Sequence, residues 1–322
     1  MKIALKVFDA EATRAALPFD RLIPALRALF AVGCEVPVRH VHHIAAPAGA
    51  CDEAVTSLIM PAWISGQVYG VKIVNIAPGN AARGLPGLHG SYLLHDARTG
   101  APLALIDGDQ ITARRTAAAS ALAASWLARD DASHLLLVGA GQVARLLPEA
   151  YREVRSIERV TVWARSPERA ESLAAELRVS GFDARPAADL AAAVGRADII
   201  SCATLANEPL VQGRWLRAGS HLDLIGSFTP TMREADDDCF AGARIVVDTD
   251  EALTKSGDLL GPLSRGVIKA SGVAGTLASL SRGDATGRLS ATERTVFKSV
   301  GTALEDLAAA MLVCGVSLPE PP

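Results

Sequence analysis

The chain has 322 residues, half of them hydrophobic and 21% charged, with a formal net charge of −3. That length holds two domains and a sizeable core, and the near-neutral balance excludes a global basic field for nucleic acid or an anionic membrane surface. Cys34, Cys51, Cys202, Cys239 and Cys314 are odd in number and lack C-x-x-C spacing. They are expected to be reduced, mostly buried thiols of a cytoplasmic protein. Asp9, Glu11 and Arg14 sit too early for a secretory signal, and the apolar stretch 117–128 falls short of the about 20 residues that span a bilayer.

Taken in chain order, residues 19–32 read as a helix with Leu22, Ile23, Leu26, Leu29 and Phe30 on one face. From 35 to about 105 the pattern changes to short β runs at 57–60, 68–74 and 91–94, punctuated by Gly and Pro. An α+β region with mainly antiparallel strands is expected there. A long Ala-rich helix follows over about 111–129. Strands are then predicted at 134–138, 159–163, 197–202, 221–225 and 244–248, with helices at 142–153, 167–178 and 187–195. This alternation predicts a parallel sheet covered by helices. A last helix, near 291–312, is expected to pack back on the first domain. The predicted fold class is α/β: a Rossmann-type doubly wound domain over 113–293, and a discontinuous α+β domain over 1–112 completed by 294–322.

The strongest motif is the apolar run 135–138 leading into Gly139-Ala140-Gly141-Gln142-Val143-Ala144. A strand entering G-x-G-x-x-A and then a helix is the phosphate-binding turn of a dinucleotide-binding unit. Gly139 permits the tight turn, Gly141 leaves room for a pyrophosphate, and Ala144 keeps helix and strand close. The first helical amides, at Gln142 and Val143, would face the phosphates. The next strand ends in Trp163-Ala164-Arg165-Ser166 with no acidic residue to bind a ribose 2′-hydroxyl. Arg165, Ser166 and Arg169 suit a 2′-phosphate, which favours NADP(H), with NAD(H) as the other candidate. Ala203 and Thr204 follow a further strand end, where ligands collect in such sheets; Cys202 reads equally well as core.

In the first domain Lys72 interrupts an apolar strand. It reads equally as a solvent-facing residue or as a desolvated general acid or base. Arg114-Arg115-Thr116 enters the long helix, where adjacent positions diverge, so one arginine is expected inside and the other in solvent. Thr116 is a candidate contact for a cofactor phosphate. His40, His42 and His43 follow Arg39 in a Val-His alternation that suggests a strand with mixed faces. They lack metal-ligand spacing, and no metal is expected. No Ser-His-Asp arrangement is visible.

Together the segments Pro37-Val38-Arg39, Met60-Pro61, Gly70-Val71-Lys72, Pro78-Gly79-Asn80, Arg115-Thr116-Ala117-Ala118, the Gly139 turn, Ala203-Thr204, Ile225-Gly226-Ser227 and Phe297-Lys298-Ser299-Val300-Gly301 resemble the ornithine cyclodeaminase/μ-crystallin family over nearly the whole chain. The resemblance implies a homodimer, with substrate and dimer contact in the discontinuous domain and NAD(P) in the Rossmann domain. It also implies that Arg39, Lys72 and Arg115 surround a substrate carboxylate, and that Gly226, Ser299 and Val300 lie near the cofactor. Members that cyclise ornithine carry an Asp shortly after the Gly of the 225–226 segment, where this chain has Phe228. The string from Gly226 to Asp236 is instead similar to the branch that reduces Δ1-pyrroline-2-carboxylate, a small cyclic imino acid. Lys72 would supply a proton or stabilise the carboxylate. An amino-acid (alanine) dehydrogenase, a cofactor-gated binding protein of the μ-crystallin type and an ornithine cyclodeaminase are the alternatives.

Overall fold

A computed structural model describes residues 5–46 and 54–318; Cys51 lies outside them. The chain divides into two compact units, residues 1–115 with 302–322, and residues 116–301. The boundary falls inside helix Gly108–Leu127, after Arg115.

The first unit is built on a six-stranded sheet of β1 (Lys6–Phe8), β2 (His40–Ile44), β3 (Val55–Ile64), β4 (Val68–Ile76), β5 (Leu88–Asp96) and β6 (Pro102–Asp107). The order is β1-β6-β5-β4-β3-β2; only β1 and β6 run parallel. Strict alternation sorts the two faces. One cross-strand row runs Met60, Lys72, Tyr92, Ile106, and all four are buried. Helices Phe19–Val32 and Ala303–Cys314 pack together, and the latter lies against β3 and β4. On the opposite face Val7, Tyr69, Ile73 and Leu105 remain exposed.

The second unit carries eight strands: β7 (His134–Val138), β8 (Arg159–Trp163), β9 (Asp183–Pro186), β10 (Ile199–Cys202), β11 (His221–Leu224), β12 (Arg244–Val247), β13 (Val273–Thr276) and β14 (Thr295–Lys298). All run parallel in the order β13-β12-β14-β11-β10-β7-β8-β9, a Rossmann-like doubly wound sheet whose order reverses between β7 and β10. Such a switch point opens a crevice at the carboxyl ends of its strands. The core beneath it includes Leu136, Val138, Ile200, Leu222, Val247 and Val296.

Two expectations are corrected. Residues 291–312 are not one helix: β14 comes first, then helix Ala303–Cys314. The β-rich Thr295-Val296-Phe297-Lys298 is buried on every side, so it joins the middle of the second sheet and residues 294–301 fall in the second unit. Neither Arg114 nor Arg115 reaches solvent. Their helix is enclosed all round, since alanines 117, 118, 119, 121, 123 and 124 let neighbours close in. Arg114 Nε donates to the Leu17 carbonyl (2.6 Å), and its guanidinium stacks 4.1 Å from the Phe19 ring centroid. Among the described residues no helix is long and apolar enough to cross a membrane.

Candidate functional site

Two constellations carry chemistry, one in each unit. In the first unit Lys72 is 1% exposed, which excludes the solvent-facing reading. Its Nζ donates to Asp306 Oδ1 (2.7 Å) and to Thr112 Oγ1 (3.3 Å), and Asp306 Oδ2 also lies 2.7 Å away. Arg115 Nε is 3.0 Å from Asp306 Oδ1, and its Nη1 donates to Glu305 Oε2 (2.5 Å). Two cations are thus matched by two carboxylates that start helix Ala303–Cys314, where the helix dipole also favours negative charge. Burial pulls the Lys72 ammonium down to about 8, with Arg115 adding to that pull and Asp306 opposing it. Arg39, half-buried, immediately precedes β2; the His40↔Ile59 register, continued by one residue, sets it opposite Met60, in the row that holds Lys72. Glu305 and Asp306 were missed in the sequence because a carboxylate pair in a first helical turn reads as dipole compensation. The signal was their setting: two acids opening an otherwise apolar helix.

In the second unit the Gly139 turn opens a crevice of about 380 Å³. It brings together Gly139, Gly141, Arg165, Ser166, Arg169, Ala203 and Thr204, and adds Trp163 and Leu210, which pattern alone did not single out. Gly139 has φ +117°, and a Cβ there would sit 2.6 Å from the Ala203 carbonyl oxygen. No other residue fits that turn without displacing the β10 end. Gly141 faces open space and caps helix Gln142–Arg152; Gln142 and Val143 form its first turn. Ala144, in the first turn of that helix, is buried. Ser166 caps helix Pro167–Val179, accepting from the Arg169 amide (3.3 Å), so Arg165 and Arg169 flank one helix start. A free helix N-terminus, an uncrowded backbone and two exposed guanidiniums are what a dinucleotide's phosphates require.

The remaining candidates lie elsewhere. Gly226 follows β11, and Ser299 and Val300 follow β14; the Val300 and Gly301 amides donate to the Asp248 carboxylate, each at 2.7 Å. Thr116 is half-buried in its helix, Cys202 is core, and Phe228 is 41% exposed after β11. His40, His42 and His43 lie exposed on β2, and among the described residues no His, Cys, Asp and Glu group could hold a metal. A larger cavity of about 640 Å³ is lined by Arg129, Arg155, Arg217 and Arg288. Arg155 and Arg288 spend their donors largely on main-chain carbonyls, including those of Ser125, Leu127 and Ala128 where the long helix ends. That is structural capping.

The sequence pattern of the Ornithine cyclodeaminase/mu-crystallin family matches residues 43–316. The chain belongs to this family. A Δ1-pyrroline-2-carboxylate reductase of Paracoccus denitrificans is 46% identical over 263 residues, covering 81% of this chain and 83% of the relative. The structure of the Thermococcus litoralis Δ1-pyrroline-2-carboxylate reductase, in complex with NADH and L-proline, superposes with a TM-score of 0.90 at 33% identity, over 98% of both chains. An archaeal alanine dehydrogenase dimer with bound NAD follows at TM-score 0.87 and 29% identity, covering 98% of this chain and 96% of that one.

Proposed function

We propose that this protein is an NAD(P)H-dependent reductase of a cyclic imino acid, converting Δ1-pyrroline-2-carboxylate to L-proline and the six-membered homologue to L-pipecolate. The observation that carries this reading is the likeness over 98% of both chains to the Thermococcus litoralis reductase, solved with NADH and L-proline. Arg39 and Arg115 are assigned to the substrate carboxylate. The fixed guanidinium fork holds a planar carboxylate in one orientation, and such orientation supplies much of a barrier reduction. Lys72, enclosed in this structure, is assigned the proton that the ring nitrogen gains. A group near 8 is charged at neutral pH yet releases a proton at modest cost. Asp306 and Glu305 hold the two cations in register and balance their charge.

The Gly139 turn, Gln142, Val143, Thr204 and the Arg165–Arg169 helix start would hold the cofactor, with Thr116, Gly226, Ser299 and Val300 towards its other parts. When bound, the reduced nicotinamide supplies the hydride that C2 of the imine accepts. The exposed Arg165 and Arg169, with no carboxylate among the crevice residues, support a preference for the 2′-phosphate of NADPH. Phe228 stands where cyclisation of ornithine would need a carboxylate, which argues against that activity. The exposed apolar face at Val7, Tyr69, Ile73 and Leu105 supports a homodimer. The free thiols among Cys34, Cys202, Cys239 and Cys314 suit a cytoplasmic setting.

The decisive experiment follows reduced-nicotinamide absorbance with Δ1-pyrroline-2-carboxylate, comparing NADPH with NADH. Rapid oxidation, faster with NADPH at equal concentration, is expected. No oxidation with either cofactor, alongside turnover of pyruvate plus ammonia, would move the assignment to an amino-acid dehydrogenase.

A further inference from the structure

We propose that Glu234 is a positioning residue for the cofactor crevice, clamping the chain segments that leave β10 and β11 through their backbone amides. This rests on the reading of the crevice as a dinucleotide site. Glu234 lies in the loop after β11 and is fully buried. Its Oε1 accepts from the Thr204 amide and the Thr204 hydroxyl, both at 2.7 Å. Its Oε2 accepts from the Gly226 amide at 2.6 Å. Its own carbonyl accepts from the Leu210 and Val211 amides, at 2.9 and 3.0 Å. One residue therefore holds Thr204 and Leu210, both of which line the crevice, and ties them to Gly226. The fit at that point is close: a Cβ on Gly226 would collide with both the Thr204 carbonyl oxygen and Glu234 Oε1.

All three donors converge on two oxygens, so the site asks for an acceptor-only group, which among side chains means an ionised carboxylate. An amide would keep Oε1 but turn an N–H towards the Gly226 N–H. The structure supports the charge from behind. The Glu234 main-chain amide donates to Asp258 Oδ1 (2.8 Å), and Lys298, itself fully buried, stands 3.8 Å from Asp258 Oδ2 and donates to the Leu224 carbonyl (2.9 Å). The ionisable groups around the clamp are Lys298 on β14, Asp258 on helix Gly257–Ser264, Cys202 on β10 and the adjacent Arg233. Burial is the larger influence and pushes the Glu234 carboxyl up to about 7, against the pull of Lys298. Protonation below that value weakens the clamp, so cofactor affinity falls as pH drops from 8 to 6. The charged side chains lining the crevice are Arg165 and Arg169, and no carboxylate or histidine is among its lining residues.

The test measures NADH binding by the fluorescence of the bound cofactor, at pH 6 to 8, for the wild type and Glu234→Gln, with thermal melting of each. NADH serves because it has no phosphate that titrates in this window. The expected result is a folded variant that binds NADH about tenfold more weakly at pH 8, the scale of one lost charged hydrogen bond, with an affinity flat across the range while the wild type's falls towards pH 6. A folded variant with wild-type affinity and wild-type pH profile overturns the proposal. If the variant does not fold, the wild-type profile decides: a fall towards pH 6 supports the clamp and a flat line overturns it. A wild type that binds neither NADH nor NADPH at any pH overturns the dinucleotide reading and this inference with it.

Discussion

Lys72 illustrates how much a single residue's neighbours determine. A bare ammonium at 1% exposure is costly, and Asp306 together with Thr112 removes most of that cost. Replacing Lys72 by Met leaves Asp306 with only Arg115 as a cation. Stability is expected to fall by about 3 kcal/mol on chemical denaturation, the scale for opening a buried pair. Under the proposed chemistry kcat/KM is expected to fall about a hundredfold or more, the usual share of a general acid. The double variant Lys72→Met with Asp306→Leu should recover stability and not activity, which separates the two roles. The pH profile gives a further check. Lys72 is charged below about 8 and neutral above it, so a step that needs its proton slows as pH rises through that value. A wild-type profile flat to pH 9.5 would remove Lys72 from the proton's path.

At the scale of elements, the crevice depends on how closely the β7 and β10 ends approach. Gly139 sits in the left-handed region and donates its amide to the Trp163 carbonyl (2.8 Å), so the turn is fastened on the β8 side as well. Gly139→Ala forces a Cβ against the Ala203 carbonyl and strains the backbone, at about 1–3 kcal/mol for the conformation alone. The expected outcome is a melting temperature lower by roughly 5 °C and an NADH dissociation constant raised at least tenfold. Unchanged binding in a folded variant would show that the turn is only structural. The Gly139 turn, the helix after it and the Arg165 strand end were all legible in the sequence, because each is set by a few consecutive residues. The middle-sheet position of β14 was not. A four-residue strand followed at once by an apolar helix produces one continuous hydrophobic signal, and only its parallel pairing with β11 and β12 separates the two.

For the whole molecule, the proposed assembly rests on the two faces of the first sheet. One face is covered by helices, while the other leaves Val7 on β1, Leu105 on β6, and Tyr69 and Ile73 on β4 in solvent. Exposed apolar side chains gathered on one sheet face are a common site for a partner. Under the proposed assembly the wild type is expected to sediment as a dimer and the double variant Val7→Glu with Leu105→Glu as a monomer, with its secondary structure intact by circular dichroism. A wild type that is monomeric at micromolar concentration would end the dimer reading.

What could be read from residues in order was whatever neighbouring residues enforce: alternation in β4, the helix at 19–32, the glycine turn, and the succession of strands and helices that makes a parallel sheet. Family motifs added Arg39, Lys72 and Arg115 as a group. Their company came from folding. Lys72 and Asp306 are 234 positions apart, and Thr204 and Glu234 are separated by 30. A carboxylate's role depends on which donors the fold brings to its two oxygens, and no local pattern carries that information. The same reason hid the burial of both Arg114 and Arg115. Helical periodicity assigns one side to solvent, but a helix whose residues are buried around its circumference has no such side.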